Sequence, residues 1–204
     1  MAPLVLTMAG CRLMAAAPGN DQPVVEMFLP NVIDRNMNQA LGRARGIVQA
    51  AYADIGVQVI WRFGKTSPSG CEKKPGRRQI VFDLRNGTAK GRSADALAFA
   101  NPYSHQGPCV TLLMDRLKAE AERNPETTGI LLGHALAHEI GHVLQGIDRH
   151  SESGLMKERW SNREVRDMWS ARLRFTAYDA ELILDPFRGF PSPDIVKGPA
   201  PERQ

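Results

Sequence analysis

Short apolar segments separated by turn-forming residues predict a series of strands in the first half of the chain. These segments are rich in β-branched and aromatic side chains, and clusters of Gly, Pro, Ser and Asn separate several of them. The candidate strands cover residues 23–30, 57–63, 79–84, 96–103 and 109–115. The fourth one stops at Pro102, which is typical of an edge strand because proline cannot donate a ladder hydrogen bond.

Two other segments repeat apolar residues at the 3.6-residue period of an amphipathic helix. One covers residues 35–55 and is followed by Gly56 as a stop; its apolar face comprises Met37, Leu41, Ala44, Ile47, Val48, Ala51 and Ile55. The other begins at Ser161, where Glu164 three residues later forms a capping box, and runs to about Ile183. Its candidate buried residues are Val165, Met168, Trp169, Leu173 and Tyr178.

A third predicted helix is apolar on nearly all sides. Asn124 is a candidate N-cap, Pro125 takes the first helical position, and Glu126 places an acid in the first turn. The helix extends to about Gln145, and Gly146 follows as a left-handed stop. Burial against the sheet is indicated by Ile130, Leu131, Leu132, Ala135, Leu136, Ala137, Ile140, Val143 and Leu144. Histidines inside such a helix are costly unless their nitrogens find partners.

Four of the five histidines lie in the segment 131–160, and the sequence HEIGH supplies His138, Glu139 and His142. Residues four apart share a helix face, so both imidazoles can reach one metal ion at about 2.0–2.1 Å. Glu139 is rotated by about 100° around the helix, where its carboxylate can take a proton from a water molecule. The spacing predicts a catalytic zinc site, since a structural site is normally closed by four protein ligands and needs no base.

A third ligand must come from beyond Gly146, and the residues leave three candidates open. His150 ranks first, because neutral imidazole is a favoured zinc ligand and the intervening loop is long enough to return it to the metal. Asp148 ranks second because it follows His142 by six residues, a better spacing. Glu164 ranks third, since a helix cap already accounts for it.

His134 lies four residues before His138 on the same helix face. It is a candidate to support the ligands from outside the coordination sphere, or to be a core histidine with its own hydrogen bonds. A shifted metal site made of His134 and His138 would lack a glutamate directly after its first histidine. Ligation by His134 is therefore the weaker alternative.

The stretch AHEIGHVLQGIDRHSESGLM resembles the metzincin clan of zinc metallopeptidases. It is most similar to small bacterial metzincin-like proteins that carry the pattern H-E-x-G-H-x-L-x-G-x-x-x-H-S-x-x-G-[IL]-M. The resemblance implies three zinc ligands, a general base and a Met-turn next to the metal, and these roles fall on His138, His142 and His150, on Glu139, and on Met156. The interval to the third histidine is two residues longer than is usual in the clan, which leaves Asp148 open.

The resemblance also implies an α+β fold of the metzincin-like zincin type. Its expected parts are a twisted mixed sheet of four to five strands, a backing helix, the helix that carries HEIGH, the Met-turn and a C-terminal helix. The implied activity is that of a zinc metalloendopeptidase, which hydrolyses peptide bonds through a zinc-bound water with Glu139 as general base. Two alternatives stay open: a zinc-containing binding module without catalysis, and a zinc amidohydrolase that acts on a non-peptide amide.

Length and composition add little that changes this hypothesis. The 204 residues fit one domain, which we predict to span residues 23–185. The net charge is +4, but the charges are interspersed, so nucleic acid is not an expected partner. No apolar run approaches the ~20 residues that cross a bilayer. We expect a monomer that acts on a peptide or protein substrate.

The two ends of the chain carry separate predictions. Residues 1–22 are interpreted as a leader, either an export signal or a lipidated tether at Cys11, which favours a secreted or extracytoplasmic location over a cytoplasmic one. In an exported domain Cys71 and Cys109 allow one disulfide, and two unrelated thiols are the alternative. Residues 186–204 are rich in Pro and Gly and predict a disordered tail.

Overall fold

The computed structural model describes residues 22–31, 34–64, 77–87, 96–101 and 109–188. Strands and helices alternate early in this part of the chain, and helices fill its second half. The elements are β1 (Val24–Leu29), α1 (Arg35–Ala53), β2 (Gln58–Phe63), β3 (Arg77–Arg85), β4 (Ala98–Asn101), β5 (Cys109–Leu113), α2 (Met114–Arg123), α3 (Pro125–Gln145), α4 (Asn162–Trp169) and α5 (Ala177–Leu184), followed by a short 3-10 helix, Asp185–Phe187.

The described strands form one mixed sheet in the order β2-β1-β3-β5-β4. β1 pairs in parallel with β2 and β3, and β3 pairs in parallel with β5, whereas β4 runs antiparallel to β5. Every residue of β1 is buried, including Glu26, whose carboxylate forms an ion pair of 3.0 Å with Arg62 of β2. The mixed sheet and the edge position of the fourth strand are confirmed.

Helices α1 and α3 pack closely against each other and against the sheet. Two glycines of α3 permit this approach: a Cβ atom on Gly129 would lie 2.8 Å from the Ala40 carbonyl oxygen, and one on Gly133 would lie 2.8 Å from Ile47 Cβ. Tyr52 of α1 is fully buried, and its hydroxyl donates to the carbonyl oxygen of Ala137 at 2.9 Å. This packing fixes the depth and rotation of α3 relative to the rest of the core.

The ends of α3 are those that the sequence predicts. The Asn124 side chain accepts from the Thr127 amide at 3.0 Å, and Pro125 occupies the first turn. At the other end Gly146 adopts a φ of 67°, and its amide donates to the His142 carbonyl oxygen at 2.9 Å. The chain therefore leaves the helix immediately after the histidine pair.

The fifth strand is shorter than expected, because helix α2 begins where the sequence predicted more strand. The strand ends at Leu113, and Met114 and Asp115 belong to α2. Only Leu117 and Ala121 of α2 are buried, so its apolar period is too sparse to stand out in the sequence.

The prediction of a single C-terminal helix from Ser161 to about Ile183 is wrong. The chain forms two helices instead, since α4 ends at Trp169 and α5 begins at Ala177. Between them Ala171 adopts a φ of 52°, a left-handed conformation in which glycine is the usual residue. The sequence carries no glycine at this position, so it gives no stop signal.

The burial expected for this region is correct in part. Met168 and Leu173 are buried, and Val165 is half-buried. Trp169 and Tyr178, which were also expected to be buried, are 51% and 56% exposed. Both flank the break between α4 and α5, so the change of chain direction moves them off the face that a single helical period assigns to them.

Several predictions fall wholly or mostly outside the described residues, namely the leader with Cys11, the thiol of Cys71, and the predicted tail 186–204, which is described only as far as residue 188. Export, lipid tethering and the disulfide therefore stay predictions. Cys109 is half-exposed at the start of β5 and has no disulfide partner within the described ranges. None of the described helices combines the length and the apolar character needed to cross a bilayer.

Candidate metal centre

Two of the three buried histidines of helix α3, His138 and His142, point to a common place one turn apart. His138 and His142 are 7% and 4% exposed, and their ring centroids lie 4.6 Å apart with the planes at 77°. Their Nε2 atoms face each other across 2.9 Å. The spacing of four residues thus brings two nitrogen donors to one point.

The other ring nitrogen of each histidine faces a backbone carbonyl. His138 Nδ1 lies 2.9 Å from the Leu155 oxygen, and His142 Nδ1 lies 3.3 Å from the Ile147 oxygen. A carbonyl oxygen can only accept, so we assign the proton of each neutral imidazole to Nδ1. Each Nε2 then presents its lone pair, which is the form that binds a metal ion.

Two lone pairs 2.9 Å apart repel each other unless a cation lies between or beside them. A proton is disfavoured in this role, because burial, aided by the neighbouring rings of His142 and His150, lowers the pKa of His138 to about 4. A divalent metal ion can bind both nitrogens at about 2.0–2.1 Å. The arrangement of the two rings therefore fits a metal site.

His150 joins the pair after the chain has turned back at the end of α3. The donor nitrogens of His138, His142 and His150 all lie within 4.8 Å of one another. The His150 ring stacks on His138 at 5.3 Å and meets His142 edge-on at 4.8 Å. His150 is exposed, so one side of the group faces solvent.

This group of three imidazoles can bind a metal ion, and its chemistry fits Zn²⁺. Among the described residues, no fourth histidine, cysteine or carboxylate belongs to the group. Three protein ligands with an open side are typical of a catalytic zinc centre, whereas a structural site is closed by four.

A tight turn follows the third histidine and packs against α3. The amide of Ser151 donates to the Met156 carbonyl oxygen at 2.8 Å, and this turn aims the Leu155 carbonyl at His138. Met156 is fully buried, with its side chain against Gly141. The methionine predicted from the sequence is thus packed against the metal-binding helix.

Trp160 also contacts the histidine group, and sequence reasoning did not identify it. Its indole Nε1 donates to the Leu155 carbonyl oxygen at 3.3 Å, and its ring meets His138 edge-on at 5.7 Å. The Leu155 oxygen therefore accepts from both an indole and an imidazole. No local pattern marks Trp160, because the contact depends on how the turn folds back onto α3.

Glu139 faces the edge strand of the sheet. Its Oε2 atom accepts a hydrogen bond from the Ala100 amide of β4 at 2.6 Å. The carboxylate is half-buried at the junction of α3 and β4, beside the first metal-binding histidine in the sequence. The site therefore lies next to the outer edge of the sheet.

The alternative ligands take other positions. Asp148 is exposed and is not part of the three-histidine group. His134 is buried, and its Nδ1 lies 2.8 Å from the Ile130 carbonyl oxygen of its own helix, so it is placed as a core histidine. Burial lowers the pKa of His134, which keeps this ring neutral as well.

Glu164 serves as the cap of α4. Its carboxylate accepts from the Ser161 amide at 2.8 Å and from the Ser161 hydroxyl, and it pairs with Lys157 at 3.0 Å. The hydrogen bond from the Ser161 side chain, followed by that from Lys157, lowers the pKa of Glu164 to about 2. The capping box predicted from the sequence is confirmed.

No protein-family model matches the sequence, and no curated protein does either. Among solved structures, the chain is similar to the archaemetzincin of Methanopyrus kandleri, with 16% sequence identity and a TM-score of 0.48. The alignment covers 83% of this chain and 97% of the archaemetzincin chain.

Proposed function

We propose that this protein is a zinc-dependent hydrolase that cleaves peptide bonds, with His138, His142 and His150 as zinc ligands. The observation that carries the proposal is the pair of opposed Nε2 atoms, 2.9 Å apart, each on a ring whose Nδ1 faces a carbonyl oxygen. This geometry favours a metal ion, and the third imidazole with its open side favours a reactive one.

Zinc is the metal expected for three neutral imidazoles. When bound, it would lower the pKa of a water molecule and polarise the carbonyl group of a substrate. The protein itself must keep the three imidazoles neutral and orient their donor nitrogens towards the metal. The carbonyl oxygens of Leu155 and Ile147 do this for His138 and His142, because each fixes the proton on Nδ1.

Glu139 is proposed as the general base. It would take a proton from the attacking water and pass it to the nitrogen of the departing amine. The 2.6 Å hydrogen bond from the Ala100 amide holds its carboxylate between α3 and β4, and so limits the rotamers of a long side chain. We propose this role because the glutamate directly follows a metal-binding histidine and lies at the outer edge of the sheet, beside β4.

A peptide substrate is favoured over a small amide by the strand next to the site. β4 pairs with β5 along one edge, and directly before β4 the Leu97 carbonyl oxygen accepts from the Leu113 amide of β5 at 3.0 Å. The Ala100 amide points to the opposite edge, since it donates to Glu139. An extended peptide that pairs with this outer edge beside the contact of Ala100 with Glu139 would pass close to the carboxylate.

The test is cleavage of a mixed peptide library by the zinc-loaded protein, read by mass spectrometry with and without a chelator. We expect cleavage that the chelator abolishes. Glu139→Ala should bind zinc as tightly as the wild type and cleave nothing, whereas Glu126→Ala, in the exposed first turn of the same helix, should cleave normally.

The alternatives give different results in the same experiment. Zinc binding with no hydrolysis of any peptide or amide would identify a binding module. Hydrolysis of simple N-acyl amides without peptide cleavage would identify an amidohydrolase. A wild-type protein that binds no zinc would contradict the proposal as a whole.

A further inference from the structure

One buried carboxylate holds both residues that flank His150. Arg149 donates from its two terminal nitrogens to Asp179 Oδ1, each at 3.3 Å, and the Ser151 hydroxyl donates to the same oxygen at 2.6 Å. Asp179 lies in α5 and is fully buried. The segment that carries the third histidine is therefore attached on both sides to a helix that is distant in sequence.

The two oxygens of Asp179 serve separate partners. Oδ2 accepts from the Thr176 hydroxyl at 2.6 Å and from the Thr176 amide at 3.3 Å, which closes the capping box of α5. Within the described part of the chain, Oδ1 accepts only from the loop residues Arg149 and Ser151. Capping of α5 requires only the Oδ2 contacts with Thr176. It does not account for the Oδ1 contacts with Arg149 and Ser151.

His150 needs support that the other two histidines do not. His138 and His142 are buried on a helix, and a carbonyl oxygen holds each ring. His150 is exposed in a loop, and within the described residues no carbonyl oxygen bonds to its ring. Apart from its ring contacts with His138 and His142, its direction depends on the backbone on either side, where Arg149 and Ser151 are held.

The charge of Asp179 agrees with a role beyond capping. A carboxylate excluded from water is costly unless opposite charge and hydrogen bonds compensate it. The compensating Arg149 side chain is 28% exposed, and its guanidinium lies 4.7 Å from the centroid of the Tyr178 ring. The ion pair thus joins the histidine loop to α5 at a place where a neutral capping residue would also close the helix.

We propose that Asp179 is a positioning residue for the third metal ligand, and that it acts by fixing the backbone on both sides of His150. This inference rests on the proposed metal site of the three histidines. A residue of α5 that does not contact the metal then sets the affinity of the site.

The test compares Asp179→Asn with Thr176→Ala. The first keeps the shape of the side chain but removes the charge that Arg149 and Ser151 share, whereas the second removes the hydroxyl on the capping side only. Two readouts are used: zinc affinity by competition with a chelator, and the visible absorption spectrum of the Co²⁺-loaded protein.

Asp179→Asn should lower zinc affinity by about 10- to 100-fold, the usual effect of losing a residue that supports a ligand. It should also change the intensity of the Co²⁺ bands, because one imidazole is no longer held at the metal. Thr176→Ala should reduce stability but leave both readouts at the wild-type values. Equal losses of affinity in the two variants would overturn the inference, since Asp179 would then act only through the helix.

A second variant covers the case in which Asp179→Asn does not fold. Arg149→Met combined with Ser151→Ala leaves Asp179 and its helix cap intact and removes its loop partners; it should lose affinity in the same way. Wild-type affinity in this variant would overturn the inference. If His150→Ala binds zinc as tightly as the wild type, that result would instead contradict the metal site, and so the proposed function.

Discussion

Gly141 of α3 and Met156 of the following turn are packed so closely that no side chain fits between them. A Cβ atom on Gly141 would lie 2.5 Å from Met156 Sδ and 3.1 Å from its Cε. Gly141→Ala should therefore displace the thioether end of the fully buried Met156 side chain, at a cost of about 1–3 kcal/mol in the free energy of unfolding. Because the same turn supplies the Leu155 carbonyl to His138, zinc affinity should fall as well.

Urea denaturation and chelator competition measure the two effects of Gly141→Ala. Gly46→Ala is the matched control, since Gly46 lies in α1 with nothing within 4 Å of an added Cβ. That control should stabilise the protein by about 0.5–1 kcal/mol and leave zinc affinity unchanged. A Gly141→Ala protein with wild-type stability and affinity would show that the contact does not constrain the turn.

The parts of the site that lie on one helix could be predicted from the sequence. His138, Glu139 and His142 are close because of helical geometry alone, and Asn124 and Gly146 mark both ends of that helix. Ligand chemistry ranks His150 first among the three candidates that the sequence leaves open, and the structure brings its ring to the pair. Local pattern and metal chemistry were sufficient for these residues.

The supporting residues could not be predicted, because tertiary contacts alone bring them together. The left-handed Ala171 ends α4 without a glycine, so the sequence suggested one helix where there are two. That error hid the N-terminus of α5 and with it the buried Asp179. Trp160 and the Leu155 carbonyl reach His138 only through the fold of the turn.

Zinc-dependent stability distinguishes His150 from Asp148 as the third ligand. Zinc that binds only the folded protein stabilises it by about 4 kcal/mol when its free concentration is 1,000 times the dissociation constant. In His150→Ala most of this stabilisation should disappear at the same zinc concentration, since one of three donors is missing. Asp148→Ala should retain it, because Asp148 is exposed and outside the group.

Thermal unfolding midpoints of both variants, measured with zinc and with a chelator, test this prediction. The chelator-treated proteins serve as the baseline for each substitution. A larger loss of the zinc-dependent shift in Asp148→Ala than in His150→Ala would assign the third position to the carboxylate.

Glu164 gives a prediction on stability at acid pH. Hydrogen bonds from Ser161 and Lys157 lower its pKa in the folded protein from 4.5 to about 2. Above pH 4.5 the carboxylate is ionised in both states, so its stabilising contribution is fully present; it is lost as the pH falls towards 2. The stability difference between wild type and Glu164→Gln should therefore shrink across this pH range.

Urea denaturation of the chelator-treated protein at several pH values between 7 and 2.5 measures this difference without the pH dependence of metal binding. Glu122→Gln, at an exposed position of α2, is the control and should differ little from wild type at any of these pH values. A stability difference for Glu164→Gln that stays constant down to pH 2.5 would contradict the capping role of the ionised carboxylate.

Trp160 provides an optical reporter of the metal site. Its ring lies 5.7 Å from that of His138 and shares the Leu155 carbonyl oxygen with it, so metal binding to His138 should alter the fluorescence of this indole. Titration with zinc should change the intensity or wavelength of emission in the wild type. The same change should occur in Trp169→Phe, because Trp169 is exposed at the end of α4. In Trp160→Phe the change should be absent while zinc still binds in the chelator assay. A signal that survives in Trp160→Phe and disappears in Trp169→Phe would place the metal away from the histidine group.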